Sequence, residues 1–389
     1  MKSVCVLGSN SGQNLGDVAI LHSIIDNIRR LRPDTVFEVP AHSDRYLRHK
    51  YDSDVVHWVR LGLHTLSLVR PKVFRAIHRS DVVLITDGII FDVRLFNPNF
   101  NWLLSLIFVI PLARLLNKRV VGLLVEVGPL YTGPGRFLAG LVCKLCDELM
   151  VREPLSVTTL KELGVRSSAI SVYADAAFVT EDVPDYRRRE VLAQMPFDDT
   201  NTVIGLNVNS YFDQWLCPTA RTLDRERFLA ELAGGLDLVI ERLDVRVAVV
   251  ITQTNDRNTA ELVIERIQHR GKVALIDSAS RTPADLQLMI GNMRAFVGMR
   301  LHSLIFACAM NTPCVGLIYS PRVRNLMQLM GMESLQMELE EVEREALFGK
   351  ISDCLENAEE IRACLRERAQ RMREKAITGF EHFCTRHLV

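Results

Sequence analysis

Short apolar runs alternate along this chain with stretches of helical pattern, and that alternation constrains the fold more than any other feature. In the first half the runs are residues 4–7, 82–86, 120–125 and 149–151. In the second half they are residues 203–206, 247–251, 273–276, 295–297 and 314–318. Runs this short, rich in Val and Ile, suit strands buried on both faces. The segments between them are mostly long enough for crossover helices, so the expected class is α/β with parallel, doubly wound sheets.

A break between the halves falls at residues 181–200. It carries Glu181-Asp182-Val183-Pro184-Asp185, then Arg187-Arg188-Arg189, then Pro196-Phe197-Asp198-Asp199. No buried strand fits so polar and Pro-containing a stretch. With 389 residues the chain is too long for one ordinary core. The sequence therefore predicts two Rossmann-like domains facing a cleft, at residues 1–180 and 200–335. A helical tail is expected over residues 336–389, where Ile351, Cys354, Ala358, Ile361 and Leu365 step by three or four.

Composition excludes several function classes. Lys+Arg and Asp+Glu are both 47, so the chain is no polycation and no nucleic-acid partner is expected. Nine scattered cysteines do not make a disulfide scaffold, and reduced thiols are the better reading. Cys143 and Cys146 have redox-motif spacing but lie in an apolar helical stretch, which favours packed thiols. The longest apolar stretch, residues 102–116, is interrupted by Pro111 and Arg114 and falls short of a membrane span. No signal peptide is evident, and a cytoplasmic location is expected. Residues 44–79 carry eight cations against three acids, with leucines interspersed. That stretch reads either as a helix pair packed on the first sheet or as a peripheral contact with anionic lipid.

Three motifs could carry chemistry. The first is the loop Gly8-Ser9-Asn10-Ser11-Gly12-Gln13-Asn14-Leu15-Gly16-Asp17, which leads into a helical stretch. Glycines allow close backbone approach, and the helix start offers N–H groups to an anion or a sugar hydroxyl. Its spacing departs from the dinucleotide fingerprint. Asp17 fits either a helix cap or a substrate ligand. The second is Met299-Arg300-Leu301-His302-Ser303, at the end of one predicted strand. Open α/β sheets bind ligands at that end of their strands. Arg brings a planar fork for carboxylate or phosphate, and His can deliver a proton near neutral pH. The third is the run from Pro313 to Arg322, where Tyr319 and Arg322 follow another strand.

Together these residues resemble the polysaccharide pyruvyl transferase family, which shares a two-domain fold with GT-B glycosyltransferases. The resemblance rests on Asn14-Leu15-Gly16-Asp17, Val127-Gly128-Pro129-Leu130 and the stretch from Cys146 to Glu153. Ala174-Asp175-Ala176-Ala177-Phe178, the Arg300–His302 motif and Pro313 to Tyr319 complete an ordered set over about residues 1 to 335. Family members move pyruvate from phosphoenolpyruvate onto two hydroxyls of a sugar, forming a cyclic ketal. The resemblance implies that Arg300, His302 and Arg152 belong to the phosphoenolpyruvate site, with Ser303, Tyr319 and Arg322 beside it. It implies that Asp17 and Asn14, with Gly16, face a glycan or lipid-linked acceptor. His302 is then the expected general acid and Asp17 the group that orients or deprotonates a hydroxyl. No metal or other cofactor is expected. One departure concerns Asp87-Gly88, where the family carries a glycine-rich turn; a second is Arg322 in place of Lys. The shared fold leaves open a glycosyltransferase using a nucleotide sugar, and the Asp87 departure leaves open a non-catalytic glycan binder.

Overall fold

The computed structural model describes residues 2–62, 64–198, 200–210, 212, 214 and 222–388. Leu63 of the basic stretch and Asp199 of the break lie outside the described residues. By its contacts the chain forms two compact units. The first is Met1–Gly12, Asp17–Val179 and Met372–Val389, and the second is Gln13–Gly16 and Thr180–Arg371.

The first unit holds seven parallel strands: β1 (Ser3–Leu7), β2 (Val36–Ala41), β3 (Val56–Arg60), β4 (Val82–Ile85), β5 (Arg119–Val125), β6 (Glu148–Val151) and β7 (Ile170–Val172). Their order is β3-β2-β1-β4-β5-β6-β7. Every residue of β2, β4 and β6 is buried, as a sheet covered on both faces requires. The helices are α1 (Leu15–Leu31), α2 (Arg45–Arg48), α3 (Pro71–Arg79), α4 (Leu103–Leu115), α5 (Gly133–Lys144) and α6 (Pro154–Glu162). Local chemistry starts several of them. Pro occupies the first turn of α3, α5 and α6, where its missing N–H costs nothing. Thr132 caps α5 by accepting from the Gly135 amide, and Glu153 caps α6 by accepting from Ser156.

The second unit repeats the plan with six parallel strands: β8 (Val203–Asn207), β9 (Arg246–Val250), β10 (Val273–Ile276), β11 (Ala295–Gly298), β12 (Cys314–Ile318) and β13 (Gln336–Glu338). Their order is β10-β9-β8-β11-β12-β13. Its helices are α7 (Asp185–Leu192), α8 (Arg225–Leu243), α9 (Arg257–Arg266), α10 (Pro283–Gly291), α11 (Leu301–Ala309), α12 (Pro321–Leu329), α13 (Arg344–Glu356) and the start of α14 (Ala358–His387). Two doubly wound parallel α/β sheets are thus what the alternation predicts. Among the described residues no helix is long and apolar enough to cross a membrane.

The structure corrects one expectation and adds detail to two others. Residues 44–79 are not a helix pair: they contain β3 as well as α2 and α3, and Val56-His57-Trp58-Val59-Arg60, rich in β-branched and aromatic residues, pairs with β2 at the sheet edge. The break holds α7, whose Arg187 pairs with the buried Asp285 of α10 at 3.0 Å. The expected C-terminal helical tail is present as α13 and α14. Its first residues form β13, and the last turns of α14 belong to the first unit, where Gly379 lies against Leu124 and Tyr173. Strand β2 was hidden from a hydropathy reading by Glu38 and Pro40. The Glu38 carboxylate is buried but bound by Arg79 at 3.0 and 2.9 Å and by His57 at 3.1 Å.

The end of α14 is fixed on the first sheet by one buried carboxylate. Glu148 accepts from His387 Nε2 at 2.9 Å and from Ser171 Oγ at 3.0 Å, with His382 Nε2 at 3.1 Å. Burial holds the His387 imidazole below its ordinary 6.5 despite the pull of Glu148. Burial alone would raise Glu148, but the bonds from His387 and Ser171 outweigh it and hold it below its ordinary 4.5. Both folded values lie below the unfolded ones, so this contribution is complete above about pH 6.5 and is lost as pH falls. Thermal unfolding should therefore show stability declining from about pH 7 to about pH 5, with His387→Gln flattening the decline. An unchanged slope in that variant would remove His387 from the anchor.

Candidate active site

In the second unit, the C-terminal ends of three adjacent strands are tied together by one side chain. Asn207, the last residue of β8, donates through Nδ2 to the Val250 carbonyl at the end of β9, at 2.9 Å. Its Oδ1 accepts from the Arg300 amide at 3.1 Å and lies 2.9 Å from Ser303 Oγ. The turn from β11 into α11 is held in this way. Arg300 is the extended N-cap residue, with φ −71° and ψ 135°. Its guanidinium makes a two-pronged pair with Asp256, Nη2 lying 2.6 Å from Oδ1. Asp256 is wholly buried and also accepts from the Ser210 amide at 3.0 Å.

His302 stands in the first turn of α11 and is half-buried. Gly16 packs directly on its ring, since a Cβ at that position would lie 2.3 Å from Nδ1. The Gln13–Gly16 segment is pinned there by its backbone: the Leu15 amide donates to Thr252 at 2.9 Å and the Thr254 amide to Gln13 at 3.2 Å. Asn14 Oδ1 accepts from the Gly16 amide at 3.0 Å. Ser303 is fully buried, Tyr319 is buried just past β12, and Arg322 lies half-buried in the first turn of α12. Chemically this is a helix start, whose first-turn N–H groups lack intrahelical acceptors, with an imidazole on that turn and an Arg already shared with a carboxylate. An anion here would meet backbone dipoles and an ion pair rather than a lone cation.

The first unit holds a second constellation, at the ends of β1, β4, β5 and β6. Ser9 bridges two carboxylates: its hydroxyl donates to Asp17, and its amide donates to Asp87 Oδ2 at 2.9 Å. Gly8 is required beside them, because a Cβ there would fall 2.6 Å from Asp87 Oδ2. Asp87 is buried with φ 62°, a left-handed conformation that Gly prefers and Asp tolerates. Burial first, and then the neighbouring Asp17, push the Asp87 carboxyl well above the usual range. Arg152 sits just past β6 with a buried guanidinium bound by Glu126 and, at 2.6 Å, by Asp175. Burial works against its charge, and Asp175 and Glu126 more than offset this. A shallow recess is lined by Asn10, Asp17, Ser43 and Tyr46 among others.

The predicted site residues thus fall into two sets. Asn14, Gly16, Arg300, His302, Ser303, Tyr319 and Arg322 belong to the second unit, and Asp17 and Arg152 to the first. The residues that sequence reasoning missed are Asn207, Asp256, Ser9 and Glu126. Asn207 is the last residue of a buried strand, a signal that strand-end reasoning could have used. Among the described residues no group of three or more His, Cys, Asp or Glu could hold a metal ion.

Two substitutions test this geometry. Arg300→Ala strands the buried Asp256 carboxylate and should cost about 3–5 kcal/mol of stability. Adding Asp256→Ala should recover much of that in denaturant unfolding; a double variant no more stable than the single one would refute the pairing. Gly16→Ala should displace the His302 ring, read as a shifted imidazole signal in NMR. An unperturbed imidazole would contradict the contact.

Comparison with known proteins agrees with this architecture. Among curated relatives, the amylovoran biosynthesis protein AmsJ of Erwinia amylovora is 22% identical over 92% of this chain and 93% of its own length. Among solved structures, the UDP-GlcNAc 2-epimerase of Neisseria meningitidis bound to UDP-GlcNAc superposes with a TM-score of 0.66 at 11% identity, covering 99% of this chain and all of that one. The UDP-GlcNAc 2-epimerase of Methanocaldococcus jannaschii gives 0.63 at 14% identity, over 91% of this chain and 93% of the other. At such identities the structural likeness concerns the GT-B-like fold alone. The polysaccharide pyruvyl transferase family model matches residues 14–321, and the chain belongs to that family.

Proposed function

We propose that the protein transfers pyruvate from phosphoenolpyruvate onto two hydroxyls of a glycan or lipid-linked saccharide, forming a cyclic ketal and releasing phosphate. Family membership and the similarity to a protein of amylovoran biosynthesis support a transferase acting in polysaccharide biosynthesis. The observation that carries the finer reading is the Arg300–His302 turn, held at a strand end by Asn207. Phosphoenolpyruvate is a compact polyanion, and the α11 start offers N–H donors with a charge-paired Arg beside them.

The chemistry balances with side-chain acids and bases. A proton added to the enol methylene carbon makes a methyl group and leaves the adjacent carbon open to a sugar hydroxyl. The carbon–oxygen bond to phosphate breaks, and a second hydroxyl closes the ring. Of the two hydroxyl protons, one is accounted for on the methyl group and one on the departing phosphate. His302 is assigned as the general acid. Asp17, hydrogen-bonded by Ser9 and lining the recess, is assigned to orient or deprotonate the acceptor hydroxyl. A cytoplasmic donor and a lipid-linked acceptor would place the reaction on the inner face of a membrane.

Thermal-shift measurements with phosphoenolpyruvate and with nucleotide sugars separate this reading from a glycosyltransferase. A ligand at 100 times its Kd stabilises by about 2.7 kcal/mol. Stabilisation by nucleotide sugars alone would overturn the reading. His302→Ala and His302→Gln should both lower turnover by about 10²–10⁴-fold, with smaller effects on phosphoenolpyruvate binding. Gln can donate a hydrogen bond but cannot deliver a proton, so recovery of rate in His302→Gln would move the acid elsewhere.

A further inference from the structure

In the outer helical layer of the first unit, α3, α4 and α5 carry no acid, and the exposed acids beside them, Asp147 and Glu162, are paired with Arg114 and Arg136. The sheet order β3-β2-β1-β4-β5-β6-β7 sends the chain from β3 back across β1 to β4, which puts α3, α4 and α5 in one layer, on the face opposite α1. None of these three helices contains Asp or Glu. Between residues 82 and 146 the acids are Asp87, Asp92 and Glu126, each no more than 4% exposed.

The exposed sides of the helices form three stripes. On α4, Phe108, Leu112 and Leu115 stand at i, i+4 and i+7, with Phe108 56% and Leu115 82% exposed. On α5, Phe137, Leu141 and Lys144 repeat the spacing, with Phe137 72% and Leu141 41% exposed. On α3, Lys72, Arg75 and Arg79 line the exposed side. Arg79 is committed to Glu38, Arg114 to Asp147 at 2.6 Å and Arg136 to Glu162 at 2.9 Å. Lys72, Arg75 and Lys144 make no ion pair among the described residues. Isolated exposed apolar residues need no explanation, but two aligned stripes flanked by unpaired cations, with no exposed acid on the helices, do.

We propose that the α3–α4–α5 face docks on an anionic lipid bilayer, with the α4 and α5 aromatic and leucine side chains entering the headgroup boundary and the α3 cations and Lys144 meeting lipid phosphates. Charge complementarity selects this occupant. An anionic surface attracts cations without acids to oppose them, and shallow apolar burial supplies the rest. A membrane-bound acceptor would make such docking useful, yet the docking requires no substrate. Its failure would therefore leave the transferase reading untouched, and the reverse also holds.

The test is co-sedimentation of the full chain with phosphatidylcholine vesicles, with and without phosphatidylglycerol. Binding is expected to the anionic vesicles, weakening as salt rises. Lys72→Glu with Arg75→Glu should weaken it by about tenfold or more, and Phe108→Asp with Leu115→Asp by a similar factor. All four positions are exposed, so thermal unfolding should confirm that the variants fold. Three outcomes overturn the proposal: no binding to anionic vesicles, binding that neither double variant weakens, or a dimer without vesicle binding that the Phe108/Leu115 variant dissociates.

Discussion

The Asn207 amide is the constraint on which the second unit's chemistry depends. One side chain joins the end of β9 to the turn leaving β11, and so fixes where Arg300, His302 and Ser303 stand. Both ends of that amide are buried and bonded, and losing either would leave a buried polar group unsatisfied. Arg300 is then locked by Asp256, the buried residue at the start of α9. The result is a preorganised turn: side chains that would otherwise cost entropy to order are already set by the scaffold.

The first unit uses carboxylates in the same way. Ser9 spans Asp17 and Asp87, and Arg152 is clamped between Glu126 and Asp175. Buried charges persist only when paired, and the buried Arg152 has two carboxylate partners. Asp87 marks a departure from the family pattern. Asp87 takes the left-handed backbone that glycine favours, so this turn carries a carboxyl where a glycine would carry no side chain.

Much of this was legible in the sequence, for physical reasons. Strands such as β4 and β12 are buried on both faces and read as unbroken apolar runs. Strands β2, β3, β7 and β13 escaped because they are short, lie at an edge or carry a paired charge that hydropathy counts as exposed. Asp17, Arg300 and His302 were singled out because strand ends mark ligand sites in such sheets, and the structure places Arg300 and His302 at the turn leaving β11. The roles of Asp256 and Glu126 were not found, because pairing over sequence separations of 44 and 26 residues leaves no local pattern. The division of the Gly8–Asp17 loop between the units at Gly12 and Gly16 has no local signature either.

The central claim, pyruvyl transfer with proton delivery to the enol carbon, is tested most directly by product analysis in deuterated water. The full chain is incubated with phosphoenolpyruvate and a library of glycan and lipid-linked acceptors, and the products are read by mass spectrometry and NMR. The account predicts acceptor-dependent phosphate release and a cyclic ketal whose methyl group carries a single deuterium. A glycosyl product formed only from a nucleotide sugar, with phosphoenolpyruvate left intact, would contradict it.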